Sequence, residues 1–215
     1  MPPPSLDPGC RSMITDSSAA GNVGHHPGKR LFDLLVAIGL APVAIPVCLI
    51  AAIPILFEAG ASPFFRQVRV GRNGIPFSIL KLRTMSPGTR EGASHEVGVA
   101  TLLKSGRIYR RLKVDELPQL WNVLNGTMSL VGPRPHLPSQ VVLTEERLRH
   151  GVLAIKPGIT GVSQVAGLDM SDPHRLAEAD AAYLGAWSLG RDIEILWQTV
   201  AGRGNGDAAS KGTGG

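Results

Sequence analysis

The sequence predicts an α/β fold, mostly helical with a small sheet, in a monotopic membrane protein whose N-terminal membrane helix is broken by proline and re-enters the face it left. Three observations predict it. From Leu34 to Phe57 run 24 residues without a charge, LLVAIGLAPVAIPVCLIAAIPILF, interrupted by Pro42, Pro46 and Pro54. Two strings rich in β-branched and aromatic residues, PFFRQVRVG and GIPFSILKLRTM, flank a turn at Gly71 to Gly74. Beyond them, apolar residues recur at helical spacing in LPQLWNVL, HRLAEADAAYL and RDIEILWQTVAG.

The apolar segment, at 1.5 Å per residue, makes roughly 36 Å of helix, enough for a hydrocarbon core about 30 Å thick. It starts too far from Met1, and is too long, for the apolar region of a secretory signal. Each internal proline removes a helix hydrogen bond and bends the backbone. Lys29 and Arg30 precede the segment, while Arg66, Arg69, Arg72, Lys81 and Arg83 follow it. Positive flanks hold both ends on the cytoplasmic side, which a bent, re-entrant hairpin satisfies and a straight span does not. A kinked transmembrane helix is the plainer alternative.

On this reading residues 1–28, rich in Pro, Gly and Ser, form a disordered tail; 29–58 form the membrane hairpin; 59–203 form a cytoplasmic domain; and 204–215 form a second disordered tail. A chain of 215 residues with 43% hydrophobic content supports one core. The formal charge of +5 favours anionic partners: phosphates, lipid headgroups or nucleic acid. No nucleic-acid readout motif is present, and a long apolar segment has no purpose in such a protein. Cys10 and Cys48 suggest neither a disulfide framework nor a thiolate metal site, and the six histidines lack metal-ligand spacing.

Chemistry concentrates in RRLKVDELPQLWNVL, where Asp115 and Glu116 stand at the mouth of a helix behind a basic run. A helix N-terminus keeps a carboxylate ionised, and an ionised Asp is a nucleophile or a magnesium ligand. The same pair, taken in isolation, reads more readily as a helix cap and a solvated first-turn acid. Lys81, Arg83, Arg110 and Arg134, each readable singly as a surface charge, are together the set of cations a diphosphate would need, and Pro133 and Pro135 stiffen the backbone around Arg134. KPGITG, with Gly158, is a turn-rich loop whose N–H groups suit an anion. Trp121, Trp187 and Trp197 read as core or interfacial anchors.

The ordered set KRLFDLLVA, proline-broken apolar hairpin, FSILKLRTM, RRLKVDELPQLWNVLNGTMSLVGPRP and KPGITGVSQV resembles the monotopic phosphoglycosyl transferases of the bacterial sugar transferase family, over about Lys29 to Gln198. The resemblance implies transfer of a sugar 1-phosphate from a UDP-sugar to polyprenyl phosphate, with release of UMP. It makes Asp115 both nucleophile and magnesium ligand, and Glu116 its catalytic partner. Lys81, Arg83, Arg110, Arg134 and Gly158 become phosphate- or substrate-binding residues. It implies Mg2+ as cofactor, membrane lipids as surroundings, and a catalytic domain with interfacial helices on the cytoplasmic face of the bacterial inner membrane. A homo-oligomer is compatible with it. Many relatives place Ser before the hairpin proline where this chain has Ala41, so Pro42 bends the helix without a hydroxyl to satisfy a freed carbonyl. The alternative from another class is a non-catalytic membrane-anchored scaffold that binds anionic lipid.

Overall fold

The computed structural model describes residues 26–88, 102–168 and 170–202; both expected tails, except for His26 to Gly28, lie outside them. The first helix, α1 (Pro27–Ala59), starts two residues before the expected boundary. Pro27 stands in its first turn, where a missing N–H costs nothing. Gly60 ends it in the left-handed conformation, its N–H donating to the Leu56 carbonyl at 3.1 Å. The helix runs unbroken through Pro42, Pro46 and Pro54, so Ala41 and Pro42 do not divide it into two elements. Pro42 and Pro46 are four residues apart and both exposed, which places their missing N–H groups on one outer face.

The polarity of α1 is the reverse of a water-facing helix. Small residues face inward: Ala37, Ala44, Cys48, Ala51 and Ala52 are buried, with Ile55. The large apolar residues face outward, among them Leu35, Ile38, Val43, Ile45, Leu49, Ile50, Ile53 and Phe57, which is 86% exposed. Leaving such side chains in water forgoes about 1.5–3 kcal/mol each. A face of this kind is a candidate membrane segment.

After α1, β1 (Phe64–Val70) and β2 (Pro76–Leu82) pair antiparallel from Phe64 opposite Leu82 to Val70 opposite Pro76. Asn73 (φ 55°) and Gly74 (φ 71°) turn the chain between them, as the sequence leads one to expect. Then come α2 (Lys104–Arg111), a 3-10 helix (Val114–Gln119) and α3 (Leu120–Leu124). These are followed by β3 (Ser129–Val131), α4 (Val141–Arg149), β4 (Gly158–Thr160), α5 (Val162–Val165), α6 (Pro173–Gly185) and α7 (Leu189–Val200).

KPGITG, expected as a loop, contributes β4, which lies parallel to β3 with Ser129 opposite Gly158 and Val131 opposite Thr160. The reason is close approach. A Cβ on Gly158 would stand 2.1 Å from the Gly132 nitrogen, so only a backbone without side chains closes this pair. The main core joins Val123, Met128, Leu130, Val131, Val152, Ile155, Tyr183, Leu184 and Ile195 with Ala37 and Ala44 of α1.

Both ends of α1 are fastened to this domain. Near its N-terminus, the Lys29 ammonium meets Asp192 of α7 at 2.7 Å, and Asp33 accepts from the Ser129 hydroxyl at 2.8 Å. Tyr183 donates to the same Asp192 at 2.7 Å and Trp187 at 3.3 Å, so the buried aspartate is fully engaged. Arg30 donates to the carbonyls of Val123 (2.6 Å) and Leu124 (3.1 Å), closing the C-terminal end of α3. Near the C-terminus of α1, Ala51 and Ile55 pack with Leu82 and Leu103, and the Glu58 carboxylate accepts from the Ser105 N–H at 3.2 Å. Lys29 and Arg30 thus turn into the domain.

Candidate active site

The acids occupy the first turn of the 3-10 helix because α2 stops short of them. Leu112 ends α2, and Lys113 then takes the left-handed conformation, φ 56°, which redirects the chain. An L-residue with a side chain pays roughly 1–2 kcal/mol for that conformation. The next residues restart as a 3-10 helix, with the Glu116 N–H donating to the Lys113 carbonyl at 3.2 Å. Asp115 comes out buried at 7% exposure.

Glu116 gathers the cations. The Lys81 ammonium stands 3.0 Å from its Oε1 and the Arg134 guanidinium 3.4 Å from the same atom. Burial pushes the Glu116 carboxyl up, but Lys81 and Arg134, with Lys113 behind them, outweigh it and hold the group down at about 2. Glu116 is therefore an anion across the physiological range, and its charge fixes two cations beside Asp115.

Each partner is placed by a different element. Lys81 projects from β2, whose inner course is stitched to α3 by Asn122: its side chain accepts from the Leu80 N–H at 3.0 Å and donates to the Ser78 carbonyl at 2.8 Å. Arg134 comes from the loop after β3. Arg110, at the end of α2, donates through Nε to the Thr84 hydroxyl at 3.0 Å, while its buried Nη1 has no hydrogen-bond partner among the described residues. A buried guanidinium N–H without a partner is a donor available to an anion.

Two expected phosphate-binding residues make contacts within the protein. Arg83 lies just past the end of β2 and donates through Nε to the Ser62 carbonyl at 2.8 Å, with its guanidinium 5.8 Å from the Phe65 ring centroid. Gly158 offers no free amide: its N–H donates to the Pro133 carbonyl at 2.9 Å. The glycine loop works one step back from the site, holding the segment that carries Arg134. Lys113, Thr84 and Asn122 were not singled out by sequence reasoning. A basic residue two before an acidic pair is the one signal that could have found Lys113.

Among the described residues no group of three or more His, Cys, Asp or Glu side chains converges as a metal site. Magnesium does not require one, because it binds through one or two carboxylates plus substrate phosphates.

Comparison with known proteins identifies the family. Residues 24–204 match the family model described as bacterial sugar transferase. The chain is 40% identical over 173 residues to the uncharacterized sugar transferase EpsL of Bacillus subtilis, covering 80% of this chain and 85% of that protein. It is 41% identical over 184 residues to the UDP-glucose:undecaprenyl-phosphate glucose-1-phosphate transferase of Caulobacter vibrioides, covering 80% and 68%. A third relative, the UDP-N-acetylgalactosamine-undecaprenyl-phosphate N-acetylgalactosaminephosphotransferase of Aeromonas hydrophila, is 33% identical over 182 residues, 80% of this chain and 42% of that longer protein. The chain therefore belongs to the bacterial sugar transferase family and is an enzyme of the phosphoglycosyl transferase class.

Proposed function

We propose that the protein transfers a sugar 1-phosphate from a UDP-sugar to undecaprenyl phosphate in two steps through Asp115, starting a lipid-linked glycan. The supporting observation is the buried Asp115 beside a carboxylate that has collected Lys81 and Arg134, on a chain whose relatives are named for this reaction. In the first step an oxygen of Asp115 attacks the phosphorus that bears the sugar. A P–O bond to the carboxylate forms, the bridging P–O bond breaks, and UMP leaves with the bridging oxygen and its electron pair. In the second step an oxygen of undecaprenyl phosphate attacks the same phosphorus, and the Asp115 carboxylate departs free.

On this reading Lys81 and Arg134, which converge on Glu116, would meet the diphosphate and its developing charge, where most assistance to phosphoryl transfer lies, with Arg110 a further cation for it. Asp115 would be the residue to hold a magnesium ion, which would supply further positive charge to the diphosphate and the leaving group. Glu116 keeps Lys81 and Arg134 in place at the cost of partly neutralising them. Two steps through one carboxylate spare the site from holding a nucleotide sugar and a long lipid together.

The outward apolar face of α1 lies in one leaflet, and both ends of the helix return to the domain on the cytoplasmic side of the inner membrane. That seats the site where a cytosolic nucleotide sugar meets a lipid phosphate. The test is the intact mass of detergent-purified protein mixed with magnesium and a panel of UDP-sugars, without lipid. A sugar-phosphate gain that undecaprenyl phosphate discharges, and that Asp115→Asn abolishes, is the expected result. UMP release with acceptor present, but no adduct with any donor that turns over, would sink the covalent step and leave direct transfer.

A further inference from the structure

Arg134 reaches Glu116 from a segment without regular secondary structure, yet five consecutive carbonyls of that segment are held. Pro133 accepts from the Gly158 N–H (2.9 Å), Arg134 from Nη1 of Arg147 (2.7 Å), and Pro135 from Nη1 of Arg69 (3.2 Å). His136 accepts from the Val70 N–H (2.9 Å) and Leu137 from the Gln140 N–H (3.0 Å). The bond to Arg134 itself comes from a side chain on α4, thirteen residues away in sequence and almost fully buried.

Arg147 is fixed from behind. Its Nε and Nη2 donate to one oxygen of Asp180 on α6, at 3.2 and 2.7 Å, and the Ser163 hydroxyl donates to the other oxygen. Nη1 also faces Nδ1 of His136 at 2.9 Å. A guanidinium has donors only, so Nδ1 must be the bare nitrogen. The proton then sits on Nε2, which donates to the Thr144 hydroxyl (2.8 Å), and that hydroxyl donates to the Gln140 carbonyl (3.1 Å). Burial, with Arg147 and Arg69 nearby, holds His136 well below its ordinary range, at about 2, so this neutral form is kept.

A buried ion pair of this kind recovers little net stability, since well-packed apolar side chains do as well or better in its place. What it provides is a fixed position. We propose that Arg147, anchored by Asp180 and Ser163, is a positioning residue that sets where the Arg134 guanidinium stands over Asp115 and Glu116. Arg147 touches no substrate. Its effect on the reaction passes through Arg134, an inference that rests on Arg134 serving the donor phosphates.

The experiment is a double-mutant cycle on UMP release, with magnesium, undecaprenyl phosphate and whichever UDP-sugar gives turnover, using full-length protein. Arg147→Lys keeps the charge but cannot bond Asp180 and the Arg134 carbonyl together. Misplacing a binding group by an ångström costs up to about 100-fold, so a loss of tenfold or more in kcat/KM is expected in the unmutated background. In an Arg134→Lys background the same substitution should cost less than twofold. Ser163→Ala, which removes one bond on Asp180 and leaves the ion pair, should show a smaller loss with the same dependence on Arg134. It keeps the test open if Arg147→Lys fails to fold, as read from thermal unfolding. Equal losses in both backgrounds, or none from either variant, would overturn the proposal. No loss from Arg134→Lys alone would instead sink the reading of Arg134 on which it rests.

Discussion

At Glu116, burial and neighbouring charge pull in opposite directions and charge wins, which gives the site a definite dependence on pH. Its folded pKa of about 2 lies below the ordinary 4.5. A depressed carboxylate contributes stability that is fully present above the unfolded value and is lost as pH falls through the folded one. The window for Glu116 is therefore from 4.5 down to about 2. Replacing Lys81 by Met removes the largest of the attractive charges. The Glu116 carboxyl should then titrate higher, and the acid limb of kcat/KM for UMP release should move to higher pH. The melting temperature of the variant should also begin to fall at a higher pH on acidification. An acid limb that stays in place in Lys81→Met would show that Glu116 does not govern it. The sequence marked Lys81, Arg134 and both acids, because cations near a paired carboxylate carry their own chemical meaning. It could not mark that the two cations converge on Glu116, which depends on β2, the 3-10 helix and the loop after β3 meeting at one point.

The element with the least tolerance for change is the β3–β4 pair. Gly158→Ala would place a Cβ 2.1 Å from the Gly132 nitrogen and 2.5 Å from the Thr160 carbonyl oxygen, both main-chain atoms that cannot swing aside. Overpacking of this kind costs about 1–3 kcal/mol. The same substitution displaces Pro133, whose carbonyl Gly158 holds, and with it Arg134. Gly158→Ala should lower both the melting temperature and kcat/KM, whereas a variant active and stable as the parent would show that the strands part without moving Arg134. Helix α1 presents the opposite case. Its composition announced it, and the three prolines announced a bend, but helical structure persists through all of them. Local rules give the tendency of each proline. Whether a helix divides depends on what packs along it, and here small residues on the inner face keep α1 against the domain.

Across the whole molecule, the attachments at the two ends of α1 support the proposed seating in one leaflet. The buried Lys29–Asp192 pair and the part-buried Glu58–Ser105 bond tie residues near both ends to one domain, and on the proposed seating carrying either end across the membrane would break one of them. Single cysteines at His26 and Ser62, placed in a background with Cys10 and Cys48 replaced, should both react with an impermeant thiol reagent from the cytoplasmic side of oriented vesicles. Labelling from opposite sides would restore the kinked transmembrane helix. The membrane reading came from an uncharged run flanked by basic residues. Those basic residues were read only as flanks that hold both ends on the cytoplasmic side; in the fold Lys29 is buried against Asp192 and Arg30 closes α3.

What the sequence determined by itself is whatever a short stretch can encode. It specified an apolar run long enough for a membrane, a hairpin around a Gly-containing turn, the acids at the start of a helical turn, and an uncommon order of motifs that places the chain in its family. Composition and periodicity are local quantities, and they survive without knowledge of the fold. The tertiary structure alone decided the rest. Lys29 finds Asp192 across 163 residues, Asp33 finds Leu130 across 97, and Arg147 joins Asp180 to the backbone of Arg134. An isolated Lys, Arg or Asp on a helix reads as a solvated charge. Only packing excludes water from it, and once water is gone the residue must be paired, so the partners that define this site are fixed by burial rather than by any pattern along the chain.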